Sequence, residues 1–199
     1  SSTSNSIVVS VSPKAVAGIA AVNDLVGLVH CSGGDKSLKL TGSSGTIQWQ
    51  RSTNGGSTWT DVSNATSSAL TIESMTVSAS YRARLTSGVC PIMYSNMLNI
   101  TVKQPTAAGT LTTSSSAVCT GSGPTLTLSG SSGTITWQKS SDYTATTPTW
   151  TTVTGATSTL TTGALTSSSA YRAVLTNNPC PSSTSNSIVV SVSPKAVAG

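Results

Sequence analysis

What most constrains this chain is a repetition. Residues 1–18, SSTSNSIVVSVSPKAVAG, recur letter for letter at residues 182–199, an offset of 181 positions. An identical run of that length reflects recent duplication rather than convergence, and self-similarity at a fixed period marks an array of structural units. An older repeat lies inside the 181-residue unit. GSSGTIQWQ at 42–50 is echoed by GSSGTITWQ at 130–138, Trp59 by Trp150, Tyr81-Arg82-Ala83 by Tyr171-Arg172-Ala173, and Ser95-Asn96 by Ser185-Asn186. Cys31 and Cys90 match Cys119 and Cys180, and the half-unit is about 90 residues. That is the size of one seven-stranded sandwich domain.

Local patterning agrees with strands. Leu38 and Leu40, Ile47 and Trp49, Tyr81, Ala83 and Leu85, and Leu98, Ile100 and Val102 each share one face of a period-two run. Only 8% of residues are charged, and Thr and Val suit a pleated, half-buried surface. No segment keeps a helical period. The expected architecture is all-β, two tandem immunoglobulin-like β-sandwiches of about seven strands each. Expected strands cover residues 20–29, 36–41, 46–52, 58–62, 69–73, 79–87 and 96–103, then 110–118, 124–129, 134–140, 149–153, 159–163, 169–176 and 186–193. The runs GSSG at 42–45 and 130–133 and TNGGS at 53–57 read as hairpin turns, because Gly tolerates positive φ. VSPKAVAG at 11–18 and 192–199 and VKQPTAAG at 102–109 read as linkers, in which Pro ends a strand and Gly turns the chain into the next domain. Residues 1–18 then form the last strand and linker of a preceding repeat, 19–105 the first domain, and 106–199 the second with its trailing linker.

The cysteines fall two per domain, 59 and 61 residues apart, with one His in the whole chain. Zinc sites want close pairs such as C-x-x-C with further ligands. One disulfide per domain, Cys31–Cys90 and Cys119–Cys180, is the reading, clipping loops at one end of each sandwich. Such a loop would stabilise a domain by ~4 kcal/mol in the chain-entropy model and implies an oxidising compartment. Trp49 and Trp137, on the third strands, are expected in the core with Tyr81 and Tyr171. Trp59 and Trp150 read either as lids on the core or as partly exposed aromatics for sugar stacking, with the packing role favoured. Trp59, Tyr143 and Trp150 are the candidate surface contacts, and SDYTATTP at 141–148 differs most between the domains.

Reactive chemistry is sparse. The one His is His30, with Val118 in its place in the second domain; the acids are Asp24, Asp35, Asp61, Glu73 and Asp142, in no repeated pairing. Paired carboxylates for glycoside hydrolysis, D-x-D loops for calcium and a G-x-S-x-G elbow are missing, so no catalytic or metal-ligating residues and no cofactor are expected. The net charge of +5 comes from ten basic residues dispersed along the chain, unlike the clustered footprint of a nucleic-acid surface. No run approaches the ~20 apolar residues of a membrane span. With Ser1 first and no signal peptide, the chain reads as an internal fragment of a longer protein.

LSGSSGTITWQKSS at 128–141, WTTVTGATS at 150–158 and YRAVLTNNPC at 171–180, with TIQWQRS, WTDVSNATS and YRARLTSGVC in the first half, resemble the Ig-like repeats of giant Bacteroidota cell-surface adhesins, such as gliding-motility adhesins of the SprB type. The resemblance implies type IX secretion and a filament on the outer membrane serving adhesion or gliding. It departs at IAAVNDLVGLVHCSGGDKS, which is longer and more apolar than its counterpart. The expected partners are neighbouring repeats and an extracellular surface or polysaccharide. The alternative is a carbohydrate-binding or spacer module of a secreted polysaccharide-degrading enzyme. Residues 5–12 duplicate the final strand of the second domain, so they are expected to exchange with that strand in a neighbouring molecule.

Overall fold

A computed structural model of the chain describes residues 5, 7–23, 27–155 and 157–194. The remainder of the repeated segment at both ends, and Asp24 within the expected strand 20–29, fall outside these residues. The chain divides into two compact units, Ser1–Val102 and Lys103–Gly199. Each is an all-β sandwich, and among the described residues there is no helix.

In the first domain β1 (Val16–Val22), β3 (Gly34–Ser44) and β6 (Ala69–Met75) form a three-stranded sheet in the order β1-β3-β6. The facing sheet runs β2 (Val29–Cys31), β9 (Leu98–Lys103), β7 (Ala79–Thr86), β4 (Thr46–Ser52), β5 (Thr60–Asp61), with β8 (Met93–Tyr94) also pairing β7. The second domain repeats the plan. Its small sheet is β10 (Ala107–Thr113), β12 (Thr125–Ser132), β15 (Thr159–Thr161). Its large sheet is β11 (Ala117–Cys119), β18 (Ile188–Ser193), β16 (Ser169–Asn177), β13 (Thr134–Ser140), β14 (Thr151–Val153), with β17 (Cys180–Thr184) on β16.

Alternation builds the core. Tyr81, Ala83 and Leu85 of β7 face inward against Trp49, Leu38 and Leu40, and Tyr171, Ala173 and Leu175 do the same against Trp137, Leu126 and Leu128. Each tryptophan is fully buried and its indole N–H finds a carbonyl: Trp49 Nε1 donates to Ser67 O at 2.9 Å, Trp137 Nε1 to Thr157 O at 2.8 Å. A buried indole without that partner would cost a desolvated donor.

Several local expectations are corrected. The expected strand 20–29 is two elements in different sheets: β1 pairs β3, whereas β2 lies beside β9, so the chain changes sheets between them. Residues 110–118 split in the same way into β10 and β11. GSSG is no hairpin turn. β3 and β4 belong to opposite sheets and the chain crosses at Gly45, where φ is +106° and a Cβ would lie 2.6 Å from Thr86 O. Only a residue without a side chain lets the crossing hug the opposite sheet. TNGGS does join an antiparallel pair, β4 and β5. Gly18 is not a linker pivot either. It lies within β1 at φ +70°, with room for a Cβ closed off by Thr41 O at 2.6 Å, and Gly109 in β10 repeats this against Ser129 O at 2.6 Å. The divergent start of the first domain has its own solution: Lys36 is fully buried and its ammonium donates to the Gly27 carbonyl. His30 lies in β2.

Candidate functional site

The Ser-Asn pair repeated in sequence fastens the two sheets of each sandwich together. Ser95 sits between β8 and β9, where its hydroxyl accepts from Ala83 N at 2.9 Å. Asn96 then reaches the opposite sheet, accepting from Ala20 N at 2.7 Å and donating to Ala20 O at 2.9 Å. Ser185 and Asn186 reproduce this on Ala173 and Leu111. An amide carries its donor and its acceptor on separate atoms, so one side chain can bond both the N–H and the C=O of a residue as a neighbouring strand would. The sequence repeat flagged the pair, but nothing in its spacing announced the role.

Two of the candidate surface aromatics, Trp59 and Trp150, belong to stacks on the outer face of the large sheet. The Arg82 guanidinium lies 4.2 Å from the Trp59 ring centroid and 4.0 Å from that of Tyr94. Register explains the assembly: Arg82 opposes Gln50, which opposes Asp61. Arg82 Nε donates to Gln50 Oε1 at 2.9 Å, Gln50 Nε2 to Asp61 Oδ1 at 2.8 Å, and Arg84 pairs with Asp61 Oδ2 at 3.1 Å. In the second domain Arg172 lies 4.0 Å from the Trp150 centroid and donates to Gln138 Oε1 at 2.8 Å. Val174, Thr152 and Thr184 stand where the first domain has Arg84, Asp61 and Tyr94, so the second stack is the simpler one. Cation–π packing of this kind contributes roughly 0.5–1 kcal/mol at exposed sites. It also places a cation over one face of each ring.

Tyr143 is not part of a stack. It is half-buried in the loop 141–150, which Asp142 organises by accepting from Ser140 Oγ at 2.7 Å and Thr149 N at 2.9 Å. These bonds, that from Ser140 first, hold the Asp142 carboxyl below the ordinary value of 3.8. Asn54 takes the same place in the first domain, accepting from Ser52 Oγ and from Thr58 N.

A cleft of about 350 Å³ opens in the first domain between β4 and β6, lined by Arg51, Val62, Leu70, Ile72, Met75 and Tyr81. Burial pushes the Tyr81 hydroxyl up, and the adjacent Arg51 works against that shift. In the second domain Lys139 replaces Arg51, and burial alone raises Tyr171. Among the described residues no three His, Cys, Asp or Glu gather as a metal site, and no helix is long and apolar enough to cross a membrane.

The cysteines correct the sequence reading. Cys31 and Cys180 are disulfide-bonded, while Cys90 and Cys119 are free. The expected pairs Cys31–Cys90 and Cys119–Cys180 are therefore not formed, and the stabilisation expected of a loop closed within each domain does not arise. The physical reason is position. Cys90 lies where the chain comes into its domain, its Sγ 3.5 Å from Ser12 O and 3.8 Å from Pro13 O. The first cysteine of a domain lies where the chain leaves it: Cys119 of β11 stands opposite Ser193, at the end of the final strand β18. Matched spacing in the two halves does not distinguish these ends.

Two sandwiches of this topology, each with an inward tryptophan on its fourth strand, β4 and β13, make the chain a tandem of immunoglobulin-like domains. It belongs to the family described as a domain of unknown function, DUF8696, whose pattern matches residues 25–104 and again 107–194. No curated protein matches it in sequence. Among solved structures it is similar in fold to murine CEACAM1b, at 19% identity, a TM-score of 0.59 and coverage of 87% of this chain and 99% of that one. A mouse coronavirus receptor-binding domain in complex with its murine receptor gives 15% identity, a TM-score of 0.62 and coverage of 87% and 99%. A marsupial T cell receptor gives 15%, 0.54, and 90% and 74%. At these identities the likeness is one of fold.

Proposed function

We propose that this chain is a repeat segment of a long extracellular filament or stalk, carried on the outer membrane and serving adhesion or gliding motility. The observation that supports the reading most is the duplicated segment. Its second copy is an integral strand, β18, whereas its first copy, residues 7–12, has the same strand-forming sequence with its valines exposed. A segment of that kind is what the tail of a preceding identical unit would be. Disulfide bonding at Cys31 and Cys180 fits an oxidising compartment outside the cytoplasm, and type IX secretion follows from the adhesin resemblance. The role is one of shape rather than catalysis, since the stacks and fasteners recur between domains and reactive groups do not. Weak contacts per domain would add up by multivalency.

The native parent protein, purified from the cell surface, tests this by chain mass and electron microscopy. A mass of several hundred kilodaltons, on the order of tens of such domains, and a thin fibre beaded at roughly 35–40 Å, the length of such a sandwich with its loops, is expected. A compact particle of ordinary mass would overturn it. Exchange of residues 5–12 for β18 of a neighbouring molecule is the accompanying partner proposal. Size exclusion should show concentration-dependent dimers that disappear when residues 1–12 are deleted; monomers at every concentration would reject exchange.

A further inference from the structure

We propose that the two free thiols are the open halves of a junction disulfide, in which Cys119 of one copy of the repeat bonds to Cys90 of the copy that follows. The inference rests on the tandem reading above and adds the covalent chemistry of its joints. Three observations carry it. First, both cysteines neighbour the same residue of the repeated segment. Cys119 stands opposite Ser193 in the parallel pair β11–β18. Cys90 Sγ lies 3.5 Å from the carbonyl of Ser12. Ser193 and Ser12 are one position of the 18-residue repeat, 181 residues apart. Where the final strand of one copy is also the incoming segment of the next, a single serine has both Cys119 and Cys90 as neighbours. Thr120 N, next to Cys119, donates to Ser193 O at 3.0 Å, and the equivalent carbonyl of Ser12 is the one Cys90 Sγ meets, so both cysteines approach one oxygen.

Second, the same relation holds one half-repeat along. Cys180 Sγ lies 3.5 Å from Lys103 O and 3.5 Å from Gln104 O, and Lys103-Gln104 align with Ser12-Pro13 in the linker repeat. Third, the cysteines already bonded are one of each kind. Cys31 is the counterpart of Cys119, and Cys180 the counterpart of Cys90. The free thiols, Cys119 exposed and Cys90 half-buried, are thus the complementary kinds at the two outer ends. Their bond forms by exchange with a low-molecular-weight disulfide such as oxidised glutathione: one thiolate attacks it and releases the first glutathione, the second attacks the protein sulfur of the mixed disulfide and displaces the other, and two reduced glutathione molecules leave with the two protons and two electrons.

The test joins this chain in frame to a second copy of residues 19–199 and places serine in two arrangements. In the junction arrangement the first copy carries C90S and the second C119S, so the remaining thiols are those facing each other across the joint. In the reciprocal arrangement the first copy carries C119S and the second C90S, leaving only the outermost thiols. Both chains have the same composition and keep Cys31 and Cys180. After equilibration with oxidised and reduced glutathione at low protein concentration, maleimide mass shifts count the thiols. The expected result is none in the junction chain and two in the reciprocal chain, with a Cys90–Cys119 linked peptide in the first alone. Equal counts in the two chains would overturn the proposal. Since the joined chain supplies the second copy itself, this outcome is separate from whether the native parent is a filament, which its mass reports.

Discussion

Residues 7–12 and 188–193 are the same six amino acids, IVVSVS, in two environments. Val190 is fully buried in the core of the second domain, and its counterpart Val9 is 81% exposed. In β18 the segment lies between β16, antiparallel, and β11, parallel, with Ser191 N donating to Ser116 O at 2.9 Å and Val192 N to Ser168 Oγ at 2.9 Å. Residues 7–15 belong to no strand, although β propensity is identical in the two copies. The difference teaches that propensity here only permits a strand. What makes one is a vacant place between two partners and a face to cover, as expected when strand preference reflects packing rather than the isolated backbone.

The largest effect that would sharpen this contrast is Val190→Asp, which places a carboxylate in the second core. It should destabilise that domain by about 4 kcal/mol or more, read as loss of one transition in urea unfolding. Val9→Asp, the same change in the other copy, should move neither transition by more than about 0.5 kcal/mol. A comparable penalty from both would erase the distinction. Next comes Asn186→Ala, which removes the two hydrogen bonds to Leu111 and should cost about 1–2 kcal/mol. Asn96→Ala should cost the first domain a similar amount. Asn5→Ala, the matching change in the unpaired copy, should cost nothing measurable. Smaller still is the pair of loops built around Asn54 and Asp142. The Asp142 carboxyl titrates below 3.8 in the folded chain, so its contribution is complete above that value and is lost as pH falls through the lowered one. Amide exchange at Thr149 should therefore accelerate in acid relative to Thr58, whose acceptor is the neutral Asn54; parallel acid profiles would contradict it.

Much of the fold was readable. β4 and β13 occupy 46–52 and 134–140, as period-two alternation indicated, and both inward tryptophans lie where that alternation points. What escaped depends on partners distant in sequence. The split of 20–29 between two sheets is marked only by Asn23-Asp24 and Gly27 inside an otherwise apolar run, and either sheet can bury the apolar residues on each side. GSSG carries turn residues whether the chain reverses beside its own strand or crosses to the facing sheet. The cysteine pairing escaped for a related reason: near-equal spacing in both halves follows from duplication, and would follow equally from bonds within domains or between ends. The Trp59–Arg82–Tyr94 stack needs the register of four strands, which no local pattern states.

The most direct test of the two-environment account is residue-resolved amide hydrogen exchange of the intact chain by NMR. Ser191 and Val192 should be protected to the level of global unfolding of the second domain, while Ser10 and Val11 exchange at the rates of an unstructured chain. Equal protection of the two copies would contradict the account.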